Sequence, residues 1–184
     1  MKTGDRHLFF LSPVAKMLRN TKIGACPMLR IAFINANLCE DPYPVYPLGM
    51  ALLSGALARA GHEVQQHDLL AAGGAPLPIL DALRCSQPDL VCLSIRNMDN
   101  VDSLAVSGNC RGLDLARRII GEIRMVCHAP IIAGGSGFSI AAEAALDYIG
   151  ADYGVAGEGE QLLPELAGAL SAGGSIPRIS VANR

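Results

Sequence analysis

The sequence lacks the signatures of several common protein classes. It has six cysteines but neither a Cys-x-x-Cys pair nor a Cys-x-x-x-Cys-x-x-Cys motif. We therefore expect free thiols in a reducing, cytoplasmic compartment rather than a disulfide framework. No apolar run approaches the roughly 20 residues that span a bilayer. No Lys/Arg cluster is interleaved with aromatic residues, which argues against nucleic acid as a partner.

Two phosphate-binding motifs are also missing. No Gly-Lys-Ser/Thr occurs, which excludes a P-loop, and no lysine follows Lys22, which excludes a phosphoacceptor receiver domain. The stretch IIAGGSGFS (131–139) contains Gly-x-Gly, but Ile140 stands where a dinucleotide fingerprint has its third glycine. This stretch also follows the fourth predicted strand rather than the first, so we do not expect a nicotinamide or flavin site.

The sequence does contain an alternation of apolar, β-prone runs and helical patterns. With 51% hydrophobic and 17% charged residues among 184, the chain can form one sizeable core. The patterns predict five strands and five helices, with strands at 29–35, 62–69, 88–95, 130–135 and 152–159 and helices at 47–61, 78–86, 111–126, 139–150 and 160–173. This alternation favours an α/β fold, a doubly wound five-stranded parallel sheet with the flavodoxin-like order 2-1-3-4-5.

Composition divides the chain into three regions. Residues 1–27 carry five basic residues against one acidic residue and show no sustained period, so we interpret them as an N-terminal extension. Residues 28–173 contain the predicted strands and helices and form the predicted domain. Residues 174–184 are interpreted as a tail or as the start of a linker to a further domain.

Unusual residues follow four of the predicted strands. The first strand is followed by NANLCEDPYPVYPLG, the third by RNMDNVD, the fourth by GGSGFS and the fifth by GEGE. The carboxyl ends of parallel strands lie on one edge of a sheet, where open α/β domains bind their ligands. We therefore predict a binding site on this edge. Gly134, Gly135 and Gly137 would let a broad, flat ligand lie against bare backbone.

These motifs, taken in order, resemble a known family. YPLGMALLSGALARAGHEVQQHDL, PDLVCLSIRNMDN, PIIAGGSGFS and GADYGVAGEGE are together similar to the cobalamin-binding domain of cobalamin-dependent radical S-adenosylmethionine enzymes, over about residues 29–165. The resemblance implies the same Rossmann-like fold. It also implies that Ser94 and the pair Gly134–Gly135 line a groove for the nucleotide tail of cobalamin, although Arg96 replaces a leucine of the wider superfamily.

The resemblance implies further cofactor-binding residues in the same loops. They are Tyr46, Pro47, Leu48, Gly49, Arg96, Asn97, Asn100, Ser136, Gly137, Phe138, Gly157, Glu158 and Gly159. Of these, Arg96, Asn97 and Asn100 would reach the corrin amides or a water beneath cobalt. The segment from Tyr46 to Gly49 is explained as well by a helix start as by a cavity edge.

One departure from related domains concerns the cobalt ligand. Methionine-synthase-like cobalamin domains carry a histidine after the first strand as the lower ligand, whereas that loop contains no histidine here. We therefore expect base-off cobalamin with no metal ligand from a protein side chain. His67 ends a peripheral strand and is interpreted as a solvated strand-end residue.

A second departure concerns the reaction. Nothing in the sequence can hold an iron–sulfur cluster or cleave S-adenosylmethionine, which the family does in a separate barrel domain. The resemblance thus implies a part that presents cobalt to a radical S-adenosylmethionine domain, in cis or in trans, for methyl transfer, and that is inactive alone. Both a fragment of a longer enzyme and a stand-alone carrier fit. The alternative is a non-catalytic flavodoxin-like module that binds a nucleotide-like ligand or mediates assembly.

Overall fold

The computed structural model of the protein describes residues 27–40, 43–98 and 112–182. Strands and helices alternate along these ranges, in the order β1 (Arg30–Asn35), α1 (Leu48–Arg59), β2 (Glu63–Asp68), α2 (Leu77–Ser86), β3 (Leu90–Ser94), α3 (Gly112–Arg124), β4 (Ile131–Gly134), α4 (Ser136–Ile140), α5 (Ala142–Ile149), β5 (Tyr153–Ala156), α6 (Leu162–Ser171) and β6 (Ile179–Val181). None of these helices is long and apolar enough to cross a membrane. Nearly all of the expected N-terminal extension lies outside the described residues.

The strands form one parallel sheet in the order β2-β1-β3-β4-β5-β6. The predicted doubly wound fold and the order of its first five strands are confirmed. The sequence does not predict β6, because this strand is only three residues long and follows a segment rich in glycine. Ser180 of β6 pairs with Val155 of β5, so part of the expected tail at 174–184 belongs to the sheet.

Side chains alternate along the strands and divide the core into two layers. Ile34 and Leu93 face a cluster that includes residues of α2, α3 and α5. Phe33 and Cys92 face the other cluster, which includes residues of α1 and α6. Helices therefore cover both faces of the sheet. The placement of α1, α2, α3 and α5 follows the right-handed crossover rule, whereas α6 lies on the face of α1 although β6 extends the sheet in the same direction as β4 and β5.

The helix predicted at 139–150 is two shorter helices. Ala141 has φ −145° and ψ 59° and separates α4 from α5. The turn into α4 is made by Gly135, whose φ of 106° and ψ of 172° lie in a region that essentially only glycine occupies. Since this tight turn follows β4 directly, the helical segment begins three residues earlier than the pattern predicts.

Candidate functional site

A cleft of about 410 Å³ opens at the carboxyl edge of the sheet. Its size falls within the range of small-molecule binding sites. The lining residues come from β1, β3, β4 and β5, from α1 and the start of α6, and from Ala182 just after β6. The cleft thus lies on the edge where the strand order places a ligand site.

The floor of the cleft consists of side chains from the sheet face beneath α1 and α6. Phe33, Cys92 and Ile132 form its apolar part. Because side chains alternate along a strand, Ser94 lies on the same face as Cys92, and Gly134 on the same face as Ile132. The floor is therefore apolar at depth, and it offers a hydroxyl and bare backbone toward the carboxyl edge.

Cys92 is a protonated thiol within this floor. Its side chain is only 2% exposed, and burial raises the pKa of the thiol to about 12. A thiol that keeps its proton at neutral pH is a poor nucleophile and a poor metal ligand. Cys92 therefore contributes shape and apolar surface to the cleft.

Two helices bound the cleft opposite the floor. Gly49 and Leu53 of α1 lie on one side, and Leu163 of α6 lies on the other, together with Gly159 in the turn before α6. A Cβ atom on Gly159 would lie 3.0 Å from Cδ2 of Leu53. The absence of a side chain at Gly159 therefore lets the turn before α6 approach α1 closely.

Strand β6 supplies the last wall. The N–H of Ala182 donates to the carbonyl oxygen of Ala156 at 2.9 Å, which continues the pairing of β5 with β6. A Cβ atom on Gly157 would lie 3.3 Å from the Cβ of Ala182, so the turn after β5 packs directly on this residue. The wall depends on the strand that the sequence did not predict.

The glycines after β4 do not all face the cleft. Gly134 and Gly135 line it. However, a Cβ atom on Gly135 would lie 2.5 Å from the carbonyl oxygen of Ile95, and one on Gly137 would lie 2.7 Å from the carbonyl carbon of Asn97. The glycines at 135 and 137 are therefore required by the close approach of the loop after β3, whatever the cleft binds.

Ser136 strengthens this contact between loops. Its Oγ donates to the carbonyl oxygen of Arg96 at 2.8 Å. The connections that follow β3 and β4 therefore form one unit at the edge of the sheet, and a change in either loop would disturb the other.

The structure brings together some of the predicted cofactor-binding residues and not others. Those that line the cleft are Gly49, Ser94, Gly134, Gly135, Ser136, Gly157, Glu158 and Gly159. Tyr46 and Leu48 are exposed and Pro47 is half-buried, all at or just before the start of α1. Arg96 and Asn97 lie in the loop after β3, outside the cleft lining, and Gly137 is buried beneath that loop. Asn100 lies outside the described residues.

Phe138 lies elsewhere than the resemblance implies. It is 0% exposed and belongs to the core cluster on the face opposite the cleft floor. A Cβ atom on Gly154 would lie 2.5 Å from its Cζ atom, so the ring packs against the bare backbone of β5. The early start of α4 turns this side chain inward, where it serves packing.

Several lining residues are absent from the sequence-based set. They are Phe33, Leu53, Cys92, Leu93, Ile132, Ala133, Ser139, Val155, Glu160, Leu163 and Ala182. Most are apolar and read as ordinary core residues. The available signal was the alternation along each strand, because Cys92 and Ile132 lie two residues before Ser94 and Gly134, respectively.

His67 lies on the sheet face opposite the cleft. Its partner across β1 and β2 is Ile34, and directly paired residues project to the same face. Its Nε2 is buried with no hydrogen-bond partner among the described residues, and desolvation by burial lowers its pKa. Its imidazole is therefore partly buried rather than solvated, and mostly neutral at pH 7.

The described ranges contain no cluster of three or more His, Cys, Asp or Glu side chains that could hold a metal ion. His62 lies at the amino end of β2, away from the cleft. There its Nδ1 accepts a hydrogen bond from the Leu29 N–H at 3.3 Å, and burial lowers its pKa.

A doubly wound parallel sheet with a cleft between its carboxyl edge and two covering helices defines a class, the α/β domains that bind an organic ligand or cofactor. A family model described as B12 binding domain matches residues 35–167. The chain belongs to this family.

Two curated relatives are named for methylation. A tryptophan 2-C-methyltransferase from Streptomyces laurentii is 35% identical over 152 residues, which are 82% of this chain and 24% of that protein. A hopanoid C-3 methylase from Methylococcus capsulatus is 30% identical over 135 residues, which are 72% of this chain and 24% of that protein. The chain thus spans about a quarter of the length of these relatives.

Solved structures agree with this assignment. The radical S-adenosylmethionine methyltransferase TsrM from Kitasatospora setae, with cobalamin and a [4Fe-4S] cluster bound, matches with a TM-score of 0.72 and 33% identity over 81% of this chain and 26% of that one. The cobalamin-dependent S-adenosylmethionine radical enzyme OxsB shares the fold, with a TM-score of 0.62 and 22% identity over 79% of this chain and 19% of that one. The chain is a cobalamin-binding domain related to radical S-adenosylmethionine methyltransferases.

Proposed function

We propose that the domain binds cobalamin base-off, with the nucleotide tail in the cleft and the corrin ring across the carboxyl edge of the sheet. The observation that carries this proposal is the cleft of about 410 Å³, whose floor is apolar and whose edge is bare backbone. The apolar residues Phe33 and Ile132 suit the flat base of the tail. Ser94 and Gly134 suit its ribose and phosphate, because they offer a hydroxyl and free space.

The residues around the cleft fit cobalamin without a protein ligand to cobalt. No histidine lines the cleft in the part of the chain that the structure describes, and His67 lies on the other face of the sheet. Arg96 and Asn97 lie in the loop after β3, beside the edge. Together with Asn100 they remain our candidates for contact with the corrin amides or with a water beneath cobalt.

The domain would position the cofactor for a partner domain. When bound, cobalamin supplies a cobalt centre that can carry a methyl group. The residues of this chain would shield the tail from water, fix the ring on the edge of the sheet and leave its outer face accessible. A radical S-adenosylmethionine domain with its iron–sulfur cluster, in cis or in trans, would complete a methyltransferase, and the names of the relatives support that reaction. Free thiols at Cys85, Cys92 and Cys127 suit a reducing cytoplasm.

A phosphate-rich nucleotide fits the cleft less well. Glu158 and Glu160 are the charged side chains that line the cleft in the described ranges, and both are acidic. Carboxylates beside a diphosphate repel it, because like charges at short range disfavour each other. Among the described residues no Lys or Arg lines the cleft to offset this repulsion for the two phosphates of a dinucleotide.

Reconstitution with hydroxocobalamin tests the proposal. We expect the gel-filtered protein to retain corrin absorbance. Ser94→Leu should weaken cobalamin binding roughly 100-fold, a loss of about 2–3 kcal/mol of binding free energy, because the larger side chain enters the cleft. The fold should tolerate this change, since leucine is compatible with a strand position. Gln66→Leu makes a similar polar-to-apolar change on the exposed edge strand β2 and should bind normally. A folded wild-type protein without corrin absorbance would overturn the proposal.

The absence of a histidine ligand has its own test. His67→Ala should leave the absorbance spectrum of bound cobalamin unchanged, because the side chain lies on the opposite face of the sheet. His62→Ala is the matched control, since it removes the acceptor for the Leu29 N–H and should cost about 1 kcal/mol of stability with the same spectrum. A corrin spectrum altered by His67→Ala alone would contradict the proposed absence of a histidine ligand.

A further inference from the structure

Two acidic side chains lie at the mouth of the cleft. Glu158 and Glu160 line it in the turn between β5 and α6, and both side chains are exposed. In the described ranges no Lys or Arg lines the cleft, and none of the ion pairs there involves either glutamate. A ligand that passes this mouth therefore meets two negatively charged groups that accept hydrogen bonds.

The turn that carries the two glutamates is held in place. The N–H of Gly157 donates to Oγ of Ser139 at 3.0 Å, and that hydroxyl donates to the carbonyl oxygen of Gly135 at 2.8 Å. The N–H of Leu163 donates to the carbonyl oxygen of Gly159 at 2.8 Å, which joins the turn to α6. The two carboxylates are thus carried by backbone that is anchored on both sides.

We propose that Glu158 and Glu160 select the carboxamide form of the corrin over its carboxylate form. This inference rests on the proposed function. Cobalamin carries neutral carboxamides around its ring, and their N–H groups can donate to a carboxylate in charge-assisted hydrogen bonds. A corrin in which one of these carboxamides is a carboxylate has nearly the same shape. It would, however, place its negative charge beside a glutamate carboxylate and would have no N–H to donate.

A purely structural role for these glutamates would leave a different signature. Acidic residues near a helix N-terminus interact favourably with the helix dipole. Glu165 lies in the first turn of α6, where it has that interaction, and it does not line the cleft. Glu165→Gln is therefore the matched control, because it removes an equal charge from the same helix end away from the cleft.

The test compares two ligands rather than one. Dissociation constants are measured by corrin absorbance for hydroxocobalamin and for its derivatives with single carboxamides hydrolysed to carboxylates. At low salt, we expect the wild-type protein to bind hydroxocobalamin at least tenfold more tightly than at least one of these monocarboxylate derivatives. Glu158→Gln with Glu160→Gln should reduce this ratio roughly tenfold, while Glu165→Gln should leave it unchanged. High salt should lower the wild-type ratio.

The outcomes separate this inference from the proposed function. If no variant and no wild-type protein binds hydroxocobalamin, the proposed function itself fails. If hydroxocobalamin binds but the amide-to-carboxylate ratio is the same in the wild type and the double variant, the selective role of the glutamates is overturned. A change in thermal stability with an unchanged ratio would assign both residues to the helix start alone.

Discussion

Replacing Gly135 with alanine should destabilise the folded domain by about 3 kcal/mol or more. The backbone at this residue has φ 106° and ψ 172°, which costs a side-chain-bearing residue of the order of 1–3 kcal/mol. The new Cβ atom would also lie 2.5 Å from the carbonyl oxygen of Ile95, so the loop after β3 must move. A loss of this size is a large fraction of the roughly 5–15 kcal/mol that holds a typical domain folded.

Urea unfolding followed by circular dichroism measures this effect. Gly121→Ala is the matched control, because Gly121 is exposed in α3 and a Cβ atom there meets nothing within 4 Å. That substitution should stabilise the protein by up to about 1 kcal/mol, since alanine is the better helix former. A Gly135→Ala variant within 1 kcal/mol of the wild type would contradict the backbone geometry described above.

Because of this cost, Gly135 is a poor probe of cofactor contact. Loss of cobalamin binding in a Gly135 variant would follow from a disrupted loop as readily as from a blocked cleft. Ser94 lies in a regular strand and faces the same cleft, so a substitution there separates the two causes.

Phe138→Ala should lower the free energy of unfolding by about 3–5 kcal/mol, because it removes a fully buried aromatic ring and leaves a cavity. Ile140 lies in the same short helix but is 74% exposed, so Ile140→Ala should change stability by less than about 0.5 kcal/mol. Urea unfolding measures both. Equal effects of the two substitutions would show that Phe138 is not a core residue.

The contact between Phe138 and Gly154 provides an internal check on this second prediction. Gly154→Ala introduces a Cβ atom 2.5 Å from Cζ of the ring and should destabilise the wild-type protein. In a Phe138→Leu background the same change should cost less, with a coupling free energy of about 0.5–3 kcal/mol in a double-mutant cycle. Additive effects would argue against the direct contact.

Most of the architecture could be predicted from the sequence because short, mostly apolar strands alternate with periodic helical segments. Leu90 to Ser94, for example, lies in an apolar run bounded by polar residues and forms the central strand β3. The short strand β6 could not be predicted, since three residues are too few to show an alternation of buried and exposed side chains. Its formation depends on pairing with β5, which is separated from it along the chain by α6.

The sequence-based set includes residues at the edge of the cleft but none of the apolar residues of its floor. Ser94 and Gly134 stand out because a polar residue and a glycine end apolar strands. Phe33 and Val155 do not, because an apolar strand residue has the same pattern whether a helix or a ligand covers it. Only the placement of α1 and α6 leaves part of that apolar face uncovered, and helix placement is a property of tertiary packing.

The wall formed by Ala182 links completion of the cleft to the order in which the chain is synthesised. The cleft is lined by Phe33 of β1 and by Ala182, which directly follows β6. All six strands must therefore be in place before its lining is complete. A nascent chain that has not yet paired β6 has an open side at the place where the tail would bind. If the cleft binds cobalamin as proposed, we therefore expect full affinity for the cofactor only after β6 has been translated and paired with β5.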